Sequence, residues 1–335
     1  MLLIFCLISI FFCLIGMSSN AVMENSNMID KPIYLRQSGE FLLTRLEEIQ
    51  KRASPCMLCP RHCMANRSAG EVGFCKTGLA PNIASFGPHH GEEEPISGIS
   101  GSGTVFFTGC TMRCVFCQNN DISRGNYGYQ VSVGELAEIF ISLQSLGCHN
   151  INLVTPTHQL PSIIGALIRA IDNGLCIPLV YNTGGYEDLA TLRLLDGIID
   201  IYMPDFKFSN EKSGLILAKT PGYPEYIKAA ILKMHRQVGD LQLDNGIAIR
   251  GLLVRYLILP GLSDECKPIF RFIAEEVSKN TWINIMDQYY PVGDIKKGCS
   301  DEYPTLCRRV NQQEVRLAYK IASGYGLSRG FIGIR

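Results

Sequence analysis

The stretch "TVFFTGCTMRCVFCQNN", residues 104–120, runs from an apolar, aromatic segment straight into three cysteines, Cys110, Cys114 and Cys117. Its first half reads as a strand. Its second half reads as a loop, because a strand sends alternate side chains to opposite faces while these thiols, spaced C-x3-C-x2-C, must converge from one side. A disulfide framework needs an even number of cysteines. A tetrahedral zinc site needs four ligands, so three thiolates here would need a distant fourth. A four-iron, four-sulfur cluster suits three thiolates, which hold three irons and leave the fourth open to a non-protein ligand.

Outward from this stretch the texture repeats. Short apolar runs, "NINLVTP" (150–156), "IPLVYNT" (177–183), "IDIYMPDFKF" (199–208), "AIRGLLVRYLILPG" (248–261) and "WINIMDQYY" (282–290), alternate with helical segments at 133–147, 160–174, 186–197, 222–239, 264–280 and 314–326. Continuously apolar strands are buried on both faces, as in parallel sheets. Right-handed crossovers repeated six times curl such a sheet into a barrel or part of one. The expected fold is therefore α/β: a partial (β/α)6 barrel, with chemistry at the rim where strands end.

The chain of 335 residues has no net charge and no long basic run, so nothing indicates a nucleic-acid partner. Seven of its fourteen cysteines sit in two tight groups, Cys56, Cys59, Cys63 and Cys75, then Cys110, Cys114 and Cys117. Thiols bunched in a long chain point to metal ligation more than to a disulfide scaffold. The other seven are expected to pack singly as small hydrophobes. Three segments follow: 1–32, an apolar leader or a start assigned too early; 33–95, a helix and a cysteine-rich metal-binding segment; and 96–335, the barrel.

With its strand, its aromatic Phe116 before the last cysteine and its six β-α units, the motif resembles the radical S-adenosylmethionine superfamily. "CMLCPRHCMANRSAGEVGFC", "GEEEPISGISGSGTVFFTGC", "YNTGGYE" and "DIYMPDFKF" extend the likeness, from about residue 56 to the end, to uncharacterised homologues of pyruvate formate-lyase activating enzyme. The resemblance implies that Cys110, Cys114 and Cys117 ligate a [4Fe-4S] cluster and that S-adenosyl-L-methionine chelates the open iron. Reductive cleavage would then yield a 5′-deoxyadenosyl radical for hydrogen abstraction. It implies a one-electron donor of flavodoxin or ferredoxin type and a glycyl radical enzyme as the leading partner. Modification of a small molecule or of another protein comes next, and a non-catalytic iron-sulfur carrier or zinc-binding protein is the reading from a different class.

The rim residues follow from the same likeness. Phe116 would lie near the adenine. Many members carry Gly-Gly-Glu after the second strand to hold the methionine amino group; here "TPTH" offers Thr155, Thr157 and His158 instead, with a helix cap as the plainer role of His158. In the activating enzymes an aspartate-threonine pair and a methionine-x-aspartate segment build a monovalent cation site; Thr183, Met203 and Asp205 match it, and Asn182 replaces the aspartate. Lys207 is expected either to pair with Asp205 or to neutralise the cofactor carboxylate. Arg255, within a strand, requires a partner such as a carboxylate. Tyr289 and Tyr290 either line the cavity or pack.

The upstream cysteines, spaced C-x2-C-x3-C-x11-C, suit a closed zinc site or a second iron-sulfur cluster, with His62 able to replace one thiolate. The connector "HHGEEEP" reads as a solvated loop. Residues 1–17 carry no charge, fall slightly short of the ~20 residues of a membrane span, and lack a basic n-region. The expectation is a cytoplasmic chain whose start is assigned early, with anchoring through residues 1–17 as the alternative.

Overall fold

Strand ends carry the chemistry, so the order of the strands comes first. A computed structural model describes residues 31–125, 127–298, 301 and 303–331. After α1 (Gly39–Ala53) come β1 (Asn82–His89), β2 (Ser102–Phe107), β3 (Tyr129–Gln130), α2 (Val133–Ser145), β4 (Ile151–Val154), α3 (Leu160–Asp172) and β5 (Leu179–Thr183). Then follow α4 (Leu189–Leu194), β6 (Ile201–Pro204), α5 (Glu211–Ala218), α6 (Tyr223–Val238), β7 (Gln242–Asp244), β8 (Ile247–Leu257), α7 (Cys266–Phe272), β9 (Trp282–Met286) and α8 (Gln312–Gly324).

Six strands, β2-β4-β5-β6-β8-β9, pair in parallel in that order. This is the expected partial (β/α)6 barrel. β1 pairs antiparallel with β2 and β3 with β1, extending one edge, while β7 pairs antiparallel with β8. The ladder does not close on itself among the described residues. Residues 92–97 cross between its two sides: Asn284 of β9 donates to Glu93 Oε1 at 2.8 Å, and Asn150 donates to the Ile96 carbonyl at 2.8 Å.

Local signals place the helices. Ser132 Oγ accepts from the Glu135 amide and Glu135 Oε2 accepts from the Ser132 amide, a capping box that starts α2. Asn311 and Glu314 do the same for α8, Asp188 caps α4, and Pro224 sits in the first turn of α6.

Strand alternation divides the interior into two cores. Leu179, Tyr181, Tyr202, Leu252 and Val254 face the helices in the main core. Val180, Ile201, Met203 and Leu253 face the lumen with Ile96 and Ala248, a second, small core. Above this apolar floor the next inward positions are Asn182, Asp205 and Arg255. Below it, Asp200 accepts from the amides of Ile33 (2.6 Å) and Leu179 (2.9 Å), tying the segment before α1 to the strand starts.

Two expectations need correction. "HHGEEEP" is not simply a solvated loop: it runs from β1 into the crossing segment, and Glu93 is buried. The lone cysteines do not all pack as hydrophobes: Cys148 and Cys266 are buried, Cys176 is exposed and Cys307 is disulfide-bonded. Residues 1–30 of the expected leader lie outside the described residues. Among the described residues no helix is long and apolar enough to cross a membrane.

Candidate functional site

The carboxyl ends of the parallel strands open on a cavity of about 380 Å³ lined by Cys110, Cys114 and Cys117. Phe116, Thr155, Asn182, Thr183, Asp205 and Lys207 line the same space, together with Arg255 and Gln288. The loop that carries the thiols leaves β2 through Gly109, at φ +86°, where a Cβ would collide with the Cys75 carbonyl; the backbone demands glycine on both counts. Gly184 opposite leaves room for the Met112 thioether, into which its Cβ would run.

The Met112 amide lies 3.3 Å from Cys110 Sγ. Burial pushes the Cys110 thiol up to about 11 against the Met112 amide, and Cys114 up to about 12 against Lys207, with neighbouring thiols raising both further. Free thiolates crowded there are costly, and a cationic metal centre that takes thiolate ligands would remove that cost. Three soft donors facing one space with an oxygen- and amide-rich wall therefore fit a cluster and a polar ligand. Among the described residues no three Cys, His, Asp or Glu side chains are already drawn to the spacing of a ligated metal.

One wall is a charge network. Lys207 Nζ pairs with Asp205 Oδ2 at 2.6 Å, and Arg255 Nε with Asp205 Oδ1 at 2.7 Å. Arg255 Nη2 donates to Asn182 Oδ1 at 2.7 Å, and Nη1 lies 3.3 Å from Glu92 Oε2 and 3.9 Å from Glu93 Oε1. Burial alone would raise the Asp205 carboxyl, but Arg255 and Lys207 outweigh it and hold it below its ordinary range. Burial pushes Glu92 up to about 7, Arg255 pulling it down and Glu93 and Asp205 pushing it higher. The carboxylate partner required by Arg255 is thus present, and Lys207 pairs with Asp205.

Three expected cofactor contacts stand elsewhere. Thr157 is buried and donates to Glu187 Oε1 at 2.7 Å. His158 is buried with Nε2 2.8 Å from the Thr108 carbonyl, and burial lowers its pKa to about 4. It ties the helix entry to the end of β2 and does not line the cavity. Met203 belongs to the lumen floor. Thr155, with φ +59°, does reach the cavity. Phe116 is buried edge-on to Phe208 and Tyr289, at centroid distances of 6.1 and 6.3 Å. Tyr289 is itself buried and donates to the Leu306 carbonyl at 2.7 Å, so it packs; Tyr290 is exposed beneath Arg309.

Sequence reasoning missed Glu92, Glu93 and Glu187. Glu187 is buried, accepts from Thr157, Thr183 and Tyr181, and burial pushes it up to about 7 despite those donors. It ends the quoted "YNTGGYE", where the signal was a carboxylate five residues past a buried strand residue.

The upstream cysteines occupy a loop lying against the three-thiol loop that follows β2. Cys56, Cys59 and Cys75 are buried and Cys63 is exposed. Burial raises Cys56 and Cys59, and each of them is raised further by charge on other members of the set. Arg61 Nε donates to the Thr111 carbonyl at 3.0 Å, and Arg113 donates to the Phe74 carbonyl. Both guanidinium groups lie over the Phe74 ring, at 3.8 and 4.4 Å. His62 is engaged by Asp188 at 3.1 Å.

The model for the family described as "Radical SAM superfamily" matches residues 104–273, about half of the 335-residue chain. The uncharacterized protein MJ0674 of Methanocaldococcus jannaschii is 33% identical over 282 residues, covering 81% of this chain and 75% of that protein. Among solved structures, Streptococcus suis SuiB bound to S-adenosylmethionine is similar at 10% identity and a TM-score of 0.43, over 65% of this chain and 45% of that one. Native anSMEcpe with bound AdoMet is similar at 8% identity and a TM-score of 0.42, over 65% and 58%. The chain thus spans about half the length of these solved chains. With the family match beginning in β2 and running through the thiol loop and the strand ends that face it, this chain belongs to the radical SAM superfamily.

Proposed function

We propose that the chain is an iron-sulfur enzyme that binds S-adenosyl-L-methionine in the cavity at the strand ends and cleaves it reductively. The observation that carries this reading is the shared wall: Cys110, Cys114 and Cys117 line the same space as Thr155, Asn182 and Lys207. When bound, the [4Fe-4S] cluster and its cofactor supply an electron-driven cleavage of the sulfonium and a radical for hydrogen abstraction. The chain's own task is to hold and orient. Cys110, Cys114 and Cys117 would be the three protein ligands. Lys207, with N–H donors left over from its pair with Asp205, would meet a ligand carboxylate, and Phe116 gives an apolar edge for a heterocycle. The apolar part of the lining, Phe107, Val154 and Leu257, limits water.

The electron comes from a flavodoxin- or ferredoxin-type donor. In the finer reading, activation of a glycyl radical enzyme, support comes from the resemblance of "YNTGGYE" and "DIYMPDFKF" to the activating enzymes. Cys56, Cys59, Cys63 and Cys75 form a second metal site, zinc or iron-sulfur, in this reading; four thiols in one short loop support it.

The test is anaerobic reconstitution, a metal and sulfide count, and incubation with dithionite and S-adenosyl-L-methionine. The expected result is about four irons for the catalytic loop and release of 5′-deoxyadenosine. Protein that carries the iron yet releases no 5′-deoxyadenosine would overturn the enzymatic reading.

A further inference from the structure

Inward-facing positions of β5, β6 and β8 step from apolar to polar toward the rim: Val180 to Asn182, Met203 to Asp205, Leu253 to Arg255. The resemblance to activating enzymes implies a monovalent cation held among Asn182, Thr183, Met203 and Asp205. Such an ion needs oxygen lone pairs turned toward it. Here those lone pairs are engaged. Asp205 gives Oδ1 to Arg255 and Oδ2 to Lys207, each within 2.7 Å. Asn182 Oδ1 accepts from Arg255 at 2.7 Å. The Thr183 hydroxyl oxygen accepts from the Gly185 amide at 3.2 Å while its proton goes to Glu187, and the Met203 side chain is sealed in the lumen floor. The residues do not fit a bound alkali ion.

We propose that Arg255 is the resident cation of this cavity: its guanidinium, bridging Asn182 and Asp205, takes the place of a monovalent metal ion and makes cofactor binding independent of the alkali ions in solution. The inference rests on the reading of the cavity as the S-adenosyl-L-methionine site. A guanidinium keeps its charge at any working pH, and its planar fork satisfies an amide and a carboxylate at once. Being part of the chain, it cannot dissociate. Asn182 fits this role. It accepts a guanidinium N–H without adding a charge, where a carboxylate would set a fourth acidic group, after Asp205, Glu92 and Glu93, against only Arg255 and Lys207. The acidic pair comes from the crossing segment, so the charge balance of the cavity is completed by residues outside the strands that build it.

The experiment exchanges potassium chloride for tetramethylammonium chloride at constant ionic strength. The readouts are the thermal midpoint, sodium-23 relaxation and, on the anaerobically reconstituted chain, the calorimetric Kd for S-adenosyl-L-methionine. For the wild type, Kd should change less than about twofold, and no excess sodium-23 relaxation should be displaced by potassium. A loss of affinity of about tenfold in tetramethylammonium, or a displaceable sodium signal, overturns the proposal. An Asn182→Asp, Arg255→Gln double variant frees the oxygens, so potassium should raise its midpoint by roughly 2–4 °C; a folded double variant blind to potassium counts against the proposal. The wild-type relaxation measurement decides the matter if that variant does not fold. Relaxation and melting require neither cluster nor cofactor. Failure of the cofactor to bind under both salts therefore refutes the cavity reading, while relaxation and melting still decide whether Arg255 stands in for the metal ion.

Discussion

The two cysteine loops, 56–78 and 109–120, are built from the same material and differ in what they face. Both are rich in thiols, and both lack a regular ladder through their cysteines. The second hangs from the carboxyl end of β2 and turns Cys110, Cys114 and Cys117 into the cavity. The first turns three of its cysteines inward against its own backbone: the Cys56 amide donates to the Ala65 carbonyl at 3.0 Å, and buried Arg67 donates to the Gly78 carbonyl at 2.7 Å. It touches the second loop from behind, through Gly109, Arg61 and Arg113. Spacing nominates ligands. Position relative to the strand ends separates a loop that presents its thiols to a ligand from one that buttresses it.

The largest expected effect tests that division directly. Cys114→Ala should reduce 5′-deoxyadenosine formation to below about 1% of wild type, since one of three protein ligands is gone. Metal held by the upstream loop should be unaffected. Cys75→Ser should do the reverse, lowering the melting temperature while the catalytic loop keeps its iron, because a metal held by a folded loop adds to folding free energy. Paired metal analysis and melting curves check both; loss of all iron from Cys75→Ser would break the comparison.

Asp205→Asn takes the charged partner from Lys207 at the cavity wall, while Arg255 keeps Glu92 and Glu93. Denaturant unfolding should show a loss of about 3 kcal/mol or more, the cost of an uncompensated buried charge. A loss under about 1 kcal/mol, the level of a surface pair, would mean that water screens this wall.

Glu187 sits between the loops, close enough to Cys59 to raise its pKa and bonded to Thr183 on the rim. Its carboxyl lies at about 7 when folded, against 4.5 ordinarily. Between those values the folded chain keeps a proton that the unfolded chain releases, so this group's contribution is fully present below 4.5 and lost as pH rises through 7. Glu187→Gln should flatten the fall in stability over that window by up to about 3 kcal/mol. Urea unfolding at pH 5 and pH 8 measures it, and an unchanged slope would place the titration elsewhere.

The smallest effect lies at the seam. Phe74→Ala removes the ring shared by Arg61 and Arg113 and should cost about 1 kcal/mol in denaturant unfolding. A change in iron content of the same variant would show that the seam also sets the catalytic loop.

The parallel strands were legible because each is a short apolar run punctuated by glycine, proline or asparagine, and buried strands leave that signature. The antiparallel strand β1 was not. "NIASFGPH" alternates poorly and contains glycine and proline, and its place is set by pairing with β2. The thiols of the site were legible from local spacing. Glu92 and Glu93 were not, because nothing in "HHGEEEP" tells a solvated run from one that crosses an open barrel and meets an arginine 163 residues away. Thr157 and His158 show the converse. Their types suited a ligand, yet the turn after β4 sends them to Glu187 and to the Thr108 carbonyl.

Sequence alone determined the repeat of strand and helix, the three-thiol loop after β2 and the second thiol loop upstream, because each is a pattern among near neighbours along the chain. Tertiary structure decided which polar groups share the cavity, and that Arg255 lies between Asn182 and Asp205. Asn182 on β5, Asp205 just past β6 and Arg255 on β8 come from distant stretches of sequence; the parallel ladder sets Asp205 beside Arg255 and Asn182 beside Met203, and the long arginine side chain spans the two.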